Sequence, residues 1–408
     1  MKKLTVIDLF AGCGGLSEGF EKSRYFDVAA YVEWEKAPCE TLVCRLKNKW
    51  RMKKAENKVL RFDLQRTEEL ISGWKDDPEY GTGQGLEKLI LPRRTVDIIA
   101  GGPPCQAYSI AGRVRDENGM RLDYRNYLFE SYIDVVKRFS PRLILFENVT
   151  GMLSARPDGF EISEKVRDEF NRAGYEILDD LKKAVVDFSE YGVPQNRKRL
   201  IIIGLKKKRN GSNQKLLETF YETVLRSFRV GKKSTVRDAI GDLPKLYPVS
   251  AENVKRNGRK YSHKPYSTRI NSHSPRYHSE RDINIFRDLA DDIRTGTERY
   301  VTVKALQKLY TERTGQSSSV HKYYVLREDS PSNLIPAHLY KDGLRHIHPD
   351  PEQARSITVR EAARLQDFPD DFEFLGSMTD QYKMIGNAVP PQFSEVLAKS
   401  LSKFLKMI

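Results

Sequence analysis

The chain has 408 residues, 39% of them hydrophobic and 10% aromatic, and a formal net charge of +14. That length accommodates one large domain plus a smaller one, and that composition excludes global disorder. No apolar run approaches the ~18 residues of a membrane span. Four scattered cysteines (Cys13, Cys39, Cys44, Cys105), none in a CxxC pair, argue against a disulfide framework and against a zinc site, so reduced thiols and a cytoplasmic location are expected.

Taken from the amino terminus, the first 205 residues alternate short apolar runs with polar, helix-like segments. The opening MKKLTVIDLF is expected to be a strand, because Asp8 interrupts its apolar run and no small-residue cleavage site follows to make it a leader. Further runs lie at 28–34, 59–64, 96–102, 143–149, 184–188 and 199–205. Each has the length of a strand buried on both faces. Segment 126–141 carries apolar residues at 128, 132, 135, 136 and 139 with Pro141 just beyond, which predicts a helix. This alternation predicts a doubly wound α/β fold on a mostly parallel seven-stranded sheet, where ligands sit beyond the carboxyl ends of the strands. Residues 65–95 read as an insertion whose Gly81, Gly83 and Gly85 mark flexibility.

From about 206 the pattern changes. A basic run, KKKRN at 206–210, precedes a helical stretch, and STVRDAIGDLP at 234–244 predicts a short capped helix ended by Pro244. Residues 245–345 show no α/β alternation and are rich in Tyr, His, Arg and Ser, which predicts a separate small domain. Segment 356–369 predicts a capped helix, and 385–405 a loop and a final helix. The expected organisation is a main domain built from 1–235 and 346–408, with 245–345 as the second domain. Lys and Arg exceed Asp and Glu by 2 in residues 1–200 and by 13 in 201–350, while 351–408 carries −1. All seven histidines lie between His263 and His348. Such a basic region is either a solvated face or a phosphate-binding one. With no cysteine near the histidines, no metal is expected.

The stretch DLFAGCGGLSEGF at 8–20 is a strand end, a glycine-rich turn and a helix start. Gly12, Gly14 and Gly15 permit tight geometry and close ligand approach. A strict GxGxxG would need glycine at 17, where Ser17 stands. The next strand ends in Glu33, an acceptor for ribose hydroxyls, with Trp34 beside it to cover an adenine face. Asp63 closes the third strand, within reach of an adenine amino group. These residues imply a nucleoside-bearing ligand and leave NAD and S-adenosylmethionine both open.

The stretch GGPPCQAYS at 101–109 follows an apolar run and presents Cys105. Two prolines stiffen the turn, and the polar segment 106–125 that follows is expected to form a mobile lid. A free cysteine is more often a small buried hydrophobe, but this position favours a nucleophile. Glu147 and Asn148 sit in LFENV, where a buried acid needs a ligand or partner. Gln195, Arg197 and Arg199 precede the last strand, and alternate spacing puts the two arginines on one side.

Taken in order, DLFAGCGG, GGPPCQAYS, ENV, QNRKR, TVREAARLQDFP and GNAVPPQ resemble the motifs of the DNA (cytosine-5) methyltransferases, in particular the bacterial modification enzymes of restriction systems. The likeness covers roughly 4–205 and 345–402. It implies a chemistry in which a cysteine thiolate adds to C6 of cytosine, C5 takes a methyl group from S-adenosylmethionine, and loss of the C5 proton expels the thiol. Cys105 matches that nucleophile. Glu147 matches the acid at the N3/N4 edge, Arg197 the group near the base O2, and Arg199 the residue that fixes the surrounding loop. The base must leave the duplex. The lid, with Arg113, Arg115, Arg121 and Arg125, would close over it, and Gln106 would fill the vacated space.

By the same resemblance the cofactor pocket is built from Phe10, Ala11, Gly12, Gly14 and Gly15 at the first turn. Glu33, Trp34, Asp63 and Leu64 come from the next two strand ends, with Pro104 and Leu128 nearby. Asn387 and Val389, in GNAVP, complete the pocket from the far end of the chain. Cys13 stands where the family often has an apolar residue, Tyr108 replaces a common Phe, and no glycine precedes Asp63. Residues 245–345, with basic and aromatic residues interleaved at 255–269 and 275–282, match the family's target-recognition region. The implied partner is double-stranded DNA, with a restriction endonuclease as functional counterpart and the protein itself a monomer. The readings that compete are an NAD-linked oxidoreductase, a catalytically silent DNA-binding protein and an RNA cytosine methyltransferase.

Overall fold

The structure is a computed structural model that describes residues 3–90, 95–104, 128–156, 161–249, 255–256, 259–264, 270–318, 323–341 and 343–408. By internal packing the chain forms two units, Met1–Gly192 with Arg197–Gly231 and Ala388–Ile408, and Val193–Asn196 with Lys232–Asn387.

The first unit is built on strands β1 (Leu4–Leu9), β2 (Phe26–Glu33), β3 (Val59–Arg61), β4 (Trp74–Asp77), β5 (Gly81–Gly83), β6 (Ile98–Gly101), β7 (Leu143–Val149), β8 (Tyr175–Ile177), β9 (Val185–Asp187) and β10 (Lys198–Lys206). The main sheet runs β3-β2-β1-β6-β7-β10-β8, with β9 pairing β10 off that path. β3, β2, β1, β6 and β7 are parallel neighbours, whereas β10 is antiparallel to β7, β8 and β9. All seven apolar runs became strands. The sheet has one strand more than expected, because β8 is only three residues long and leaves no readable pattern. Helices cross between parallel strands, Gly15–Ser23 after β1 and Lys36–Asn48 after β2.

Strand order reverses at β1, which has β2 on one side and β6 on the other. There Leu9 is level with Gly101, so the turns after β1 and β6 leave the sheet side by side. This is the place where α/β sheets hold ligands. The predicted helix after the second turn spans Leu128–Phe139.

Residues 65–90 are not a loose insertion. They hold a helix (Thr67–Ser72), the β4–β5 hairpin and a helix (Gly85–Ile90). Trp74 stacks on Phe62 at 3.9 Å, and a Cβ on Gly83 would stand 2.2 Å from the Trp74 ring. Close approach and turning, rather than the expected flexibility, explain these glycines.

The last helix, Pro391–Phe404, lies against the first. A Cβ on Gly19 would stand 2.2 Å from the Glu395 amide nitrogen. Ser394 Oγ donates to the Leu16 carbonyl, and Lys22 pairs with Glu395 at 2.6 Å.

The second unit has a core of Phe286, Leu289, Leu309, Tyr323, Val325 and Ile347 between the helices Glu280–Thr295 and Val303–Thr314 and the segments beside them. Its helices Val236–Ile240 and Val359–Leu365 both open with the predicted caps, in which Thr235 and Thr358 close capping boxes with Asp238 and Glu361. Packing divides the chain differently from the expected break near 346. Residues 346–387 fold with 232–345, and only Ala388–Ile408 joins the sheet. A buried polar network accounts for this. Arg355 meets both Glu361 oxygens at 2.7 Å, His348 Nε2 lies 3.5 Å from Glu361, and His273 bridges Pro244 and Thr358. Arg360, fully buried, donates to the carbonyls of Asn271, Pro369 and Phe372. Among the described residues no three His, Cys, Asp or Glu side chains gather to hold a metal, and no helix is long and apolar enough to cross a membrane.

Candidate active site

Two turns of the first unit carry the site. After β1, Phe10, Gly12 and Gly14 all take positive φ (58°, 56° and 94°), and the chain coils back so that the Gly14 amide reaches the Ala11 carbonyl at 2.9 Å. At Gly14 a side chain would meet Leu42 at 2.6 Å, whereas beside Gly12 nothing lies within 4 Å of a Cβ position. One flank of the loop is thus packed and the other open. Gly15 fits under the other end of the chain, since its Cβ would stand 2.4 Å from the Val389 carbonyl oxygen. Gly15 thus packs against the Val389 backbone, while Asn387 belongs by packing to the second unit.

Glu33, at the end of β2, is buried and ties the two loops together. Its Oε2 accepts the Gly12 amide at 2.9 Å and its Oε1 the amides of Trp34 and Glu35, also at 2.9 Å. Burial pushes this carboxyl up to about 7 in spite of those hydrogen bonds. Asp8, next to last in β1, is likewise pushed to about 7, first by burial and then by the nearby Glu33, while its Ser17 hydrogen bond opposes the shift. Its Oδ2 is buried with no hydrogen-bond partner among the described residues.

Two under-solvated acids beside an open glycine flank suit a ligand that brings O–H or N–H donors, as a ribose does. Trp34, 42% exposed, offers an aromatic face next to Glu33. Asp63 is half-buried with Oδ1 taken by the Gln65 amide at 3.0 Å, and Leu64 and Leu128 are buried. The sequence pattern used Asp8 only as a break in an apolar run; that interruption was the available signal of a buried acid.

The turn after β6 leads to the second part. A Cβ on Gly102 would stand 2.8 Å from Glu147 Oε2, so the backbone at Gly102, where the turn begins, passes against the acid. Glu147 Oε1 is 3.1 Å from Arg199 Nε, and both side chains are largely shielded. The register explains the pair. Glu147 faces Ile201 across the antiparallel β7–β10 ladder, which puts Arg199 on the neighbouring diagonal of the same face. Arg197 goes elsewhere: it is buried, and its Nη2 donates to the Ala388 carbonyl at 3.2 Å. Gln195, in the second unit, accepts the Ile335 amide and donates to Leu365 and Gln366. Asn148 is buried, with Oδ1 on the Val149 amide. Cys105, Gln106 and the lid at 106–125 lie outside the described residues.

A sheet with this switch point, a glycine turn facing a buried acid, and a Gly-Pro-Pro turn against a Glu–Arg pair define an α/β fold of the kind that holds its ligand beyond the carboxyl ends of the strands. The family model for C-5 cytosine-specific DNA methylases matches residues 4–403, and the chain belongs to that family. It is 34% identical to the type II methyltransferase M.Bpa9945I of Bacillus paralicheniformis, over 98% of both chains. It is 30% identical to the type II methyltransferase M1.HphI of Haemophilus parahaemolyticus, over 98% of this chain and 87% of that one. Among solved structures it is similar to a candidate DNA modification methyltransferase encoded within an E. coli prophage, with a TM-score of 0.62 and 25% identity over 99% and 100% of the two chains. The fold is also that of the S. pombe Dnmt2 methyltransferase, with a TM-score of 0.53 and 16% identity over 99% of each chain.

Proposed function

We propose that the protein methylates C5 of a cytosine flipped out of duplex DNA, with S-adenosylmethionine as donor, as the modification enzyme of a type II restriction system. The observation that carries this reading is Glu147, held by Arg199 against the Gly102–Pro104 turn, one strand away from the glycine turn and its buried acids. Bound in the pocket, the donor supplies an electrophilic methyl group. Gly12, Gly14 and Glu33 would hold its ribose and Trp34 its adenine, with Phe10, Ala11, Gly15, Asp63, Leu64, Pro104, Leu128 and Val389 completing the pocket.

Cys105 follows Pro104 directly. Its thiolate forms the S–C6 bond and sends an electron pair toward C5. Glu147 holds the N3/N4 edge and stabilises the charge that develops there. After C5 has taken the methyl group, its proton leaves to a base, the S–C6 bond breaks, and the ring regains its double bond. The distances favour exchanging the two arginine roles expected from the motif. Arg199 stands at the acid and takes the base edge, while Arg197 braces the Ala388 backbone.

Gln106 and the lid would act on the extruded base. The region 245–345 would recognise the target sequence. The protein would work in the cytoplasm as a monomer, paired in function with an endonuclease. Sequencing of methylated cytosines in DNA from cells that express it is expected to show one recurrent site, lost in the Cys105→Ser variant. Unmethylated DNA, or methylation that survives Cys105→Ser, would count against this reading.

A further inference from the structure

We infer that Glu18, Arg45 and Trp50 form a positioning cluster that sets the geometry of the cofactor pocket without touching the ligand. The inference rests on the reading of that pocket as an S-adenosylmethionine site. Each loop of the pocket leads into a helix. The glycine turn enters Gly15–Ser23, and Glu33–Trp34 lead into Lys36–Asn48. Glu18 lies in the first turn of the one and Arg45 in the last turn of the other, and both are buried. Arg45 Nε lies 3.2 and 3.1 Å from the two Glu18 oxygens, and Nη2 lies 2.5 Å from Oε1. Trp50, just past the second helix, donates Nε1–H to Glu18 Oε2 at 3.0 Å.

Burying two charges is expensive, and an apolar pair of like volume often holds a fold equally well. What an apolar pair lacks is direction. A planar guanidinium meets a carboxylate in a narrow range of orientations, and the indole N–H adds a third fixed vector. The cluster therefore locks the rotation and height of one helix against the other. The first helix carries the Gly12 loop at its head, and the second follows directly on the turn that begins at Glu33. Their spacing is the 2.9 Å hydrogen bond from the Gly12 amide to the Glu33 carboxylate. A pocket held in its bound geometry loses less freedom when the ligand arrives.

The experiment compares the full-length parent, the double variant Glu18→Leu/Arg45→Met, and Trp50→Phe. Each is measured for S-adenosylhomocysteine affinity by calorimetry, for thermal unfolding, and for kcat and KM with cofactor and with DNA. The double variant is expected to unfold cooperatively near the parent temperature yet bind S-adenosylhomocysteine about tenfold more weakly. Its KM for the methyl donor should rise in step, with kcat at saturation and KM for DNA unchanged. Trp50→Phe keeps the ion pair and should weaken binding by about threefold. Affinities within about twofold of the parent in whichever variants fold overturn the inference. Failure of the parent itself to bind S-adenosylhomocysteine is a distinct result: it removes the pocket reading and the inference with it.

Discussion

Buried ionisable groups occur in both units, and the acids beside the glycine turn are treated differently from the rest. In the second unit they are matched. Glu361 has two Arg355 nitrogens, and coulombic attraction and hydrogen bonding from Arg355 hold it far below the usual carboxylate range against the opposing effect of burial. Burial keeps the neighbouring histidines neutral, with His263 and His346 near 4 and His278 and His348 near 3. In the first unit Glu18 is matched by Arg45 in the same way, but Asp8 and Glu33 are buried with too little compensation and are pushed up to about 7. The difference teaches which buried charge is scaffold and which awaits a ligand: a matched network holds a fold, and an unmatched acid at a strand end stores affinity for whatever solvates it.

The largest effect that would sharpen this contrast is on catalysis. Glu147→Gln keeps the shape of the acid but removes its charge, so the methyl-transfer rate should fall ~10²–10⁴-fold with a far smaller loss of stability from the partly shielded Arg199 pair. A loss of stability in step with activity would make Glu147 scaffold as well. Next comes the matched network. Glu361→Gln strands Arg355 in the core of the second unit and should cost about 3–5 kcal/mol in denaturant unfolding. A change below about 1 kcal/mol would mean that the network does not hold that unit.

The pH responses of the two regions should have opposite signs. The histidines titrate near 6.5 when unfolded and near 3–4 when folded. Their contribution is complete above about 6.5 and is lost as pH falls toward 4, at up to about 1.4 kcal/mol per pH unit per histidine. Asp8 and Glu33 are raised from 3.8 and 4.5 to about 7, so their contribution is present below about 4 and is lost as pH rises through 7. Hydrogen exchange followed by region between pH 4 and 7 reads both slopes; parallel slopes would erase the comparison. The smallest effect is steric: Gly19→Ala presses a methyl group into the last helix and should cost about 1–3 kcal/mol without changing either pH slope.

Much of this was legible in the chain. Strands buried on both faces give uninterrupted apolar runs, and all seven were readable. Thr235 and Thr358 announced their helices, because capping is local. The apolar runs also put Glu33 and Glu147 near the ends of their strands, where the structure has them. Contacts between distant residues were not legible. Glu18 and Arg45 are 27 positions apart, and His273 and Thr358 are 85 apart, and no spacing rule joins them. The separate fates of Arg197 and Arg199 depend on where β10 begins, a matter of one or two residues. The 346–387 segment looked like a return to the sheet because its helices are well capped, yet a cap does not say which core a helix will face.

The central claim is covalent attack by Cys105 on an extruded cytosine, assisted by the acid at 147. A duplex carrying 5-fluorocytosine at the methylated position tests it directly, because fluorine cannot leave as the C5 proton does. With S-adenosylmethionine present, the account predicts a denaturation-resistant protein–DNA adduct that maps to Cys105 and is absent in Cys105→Ser. A methylated product released without any adduct, or an adduct that survives Cys105→Ser, would contradict it.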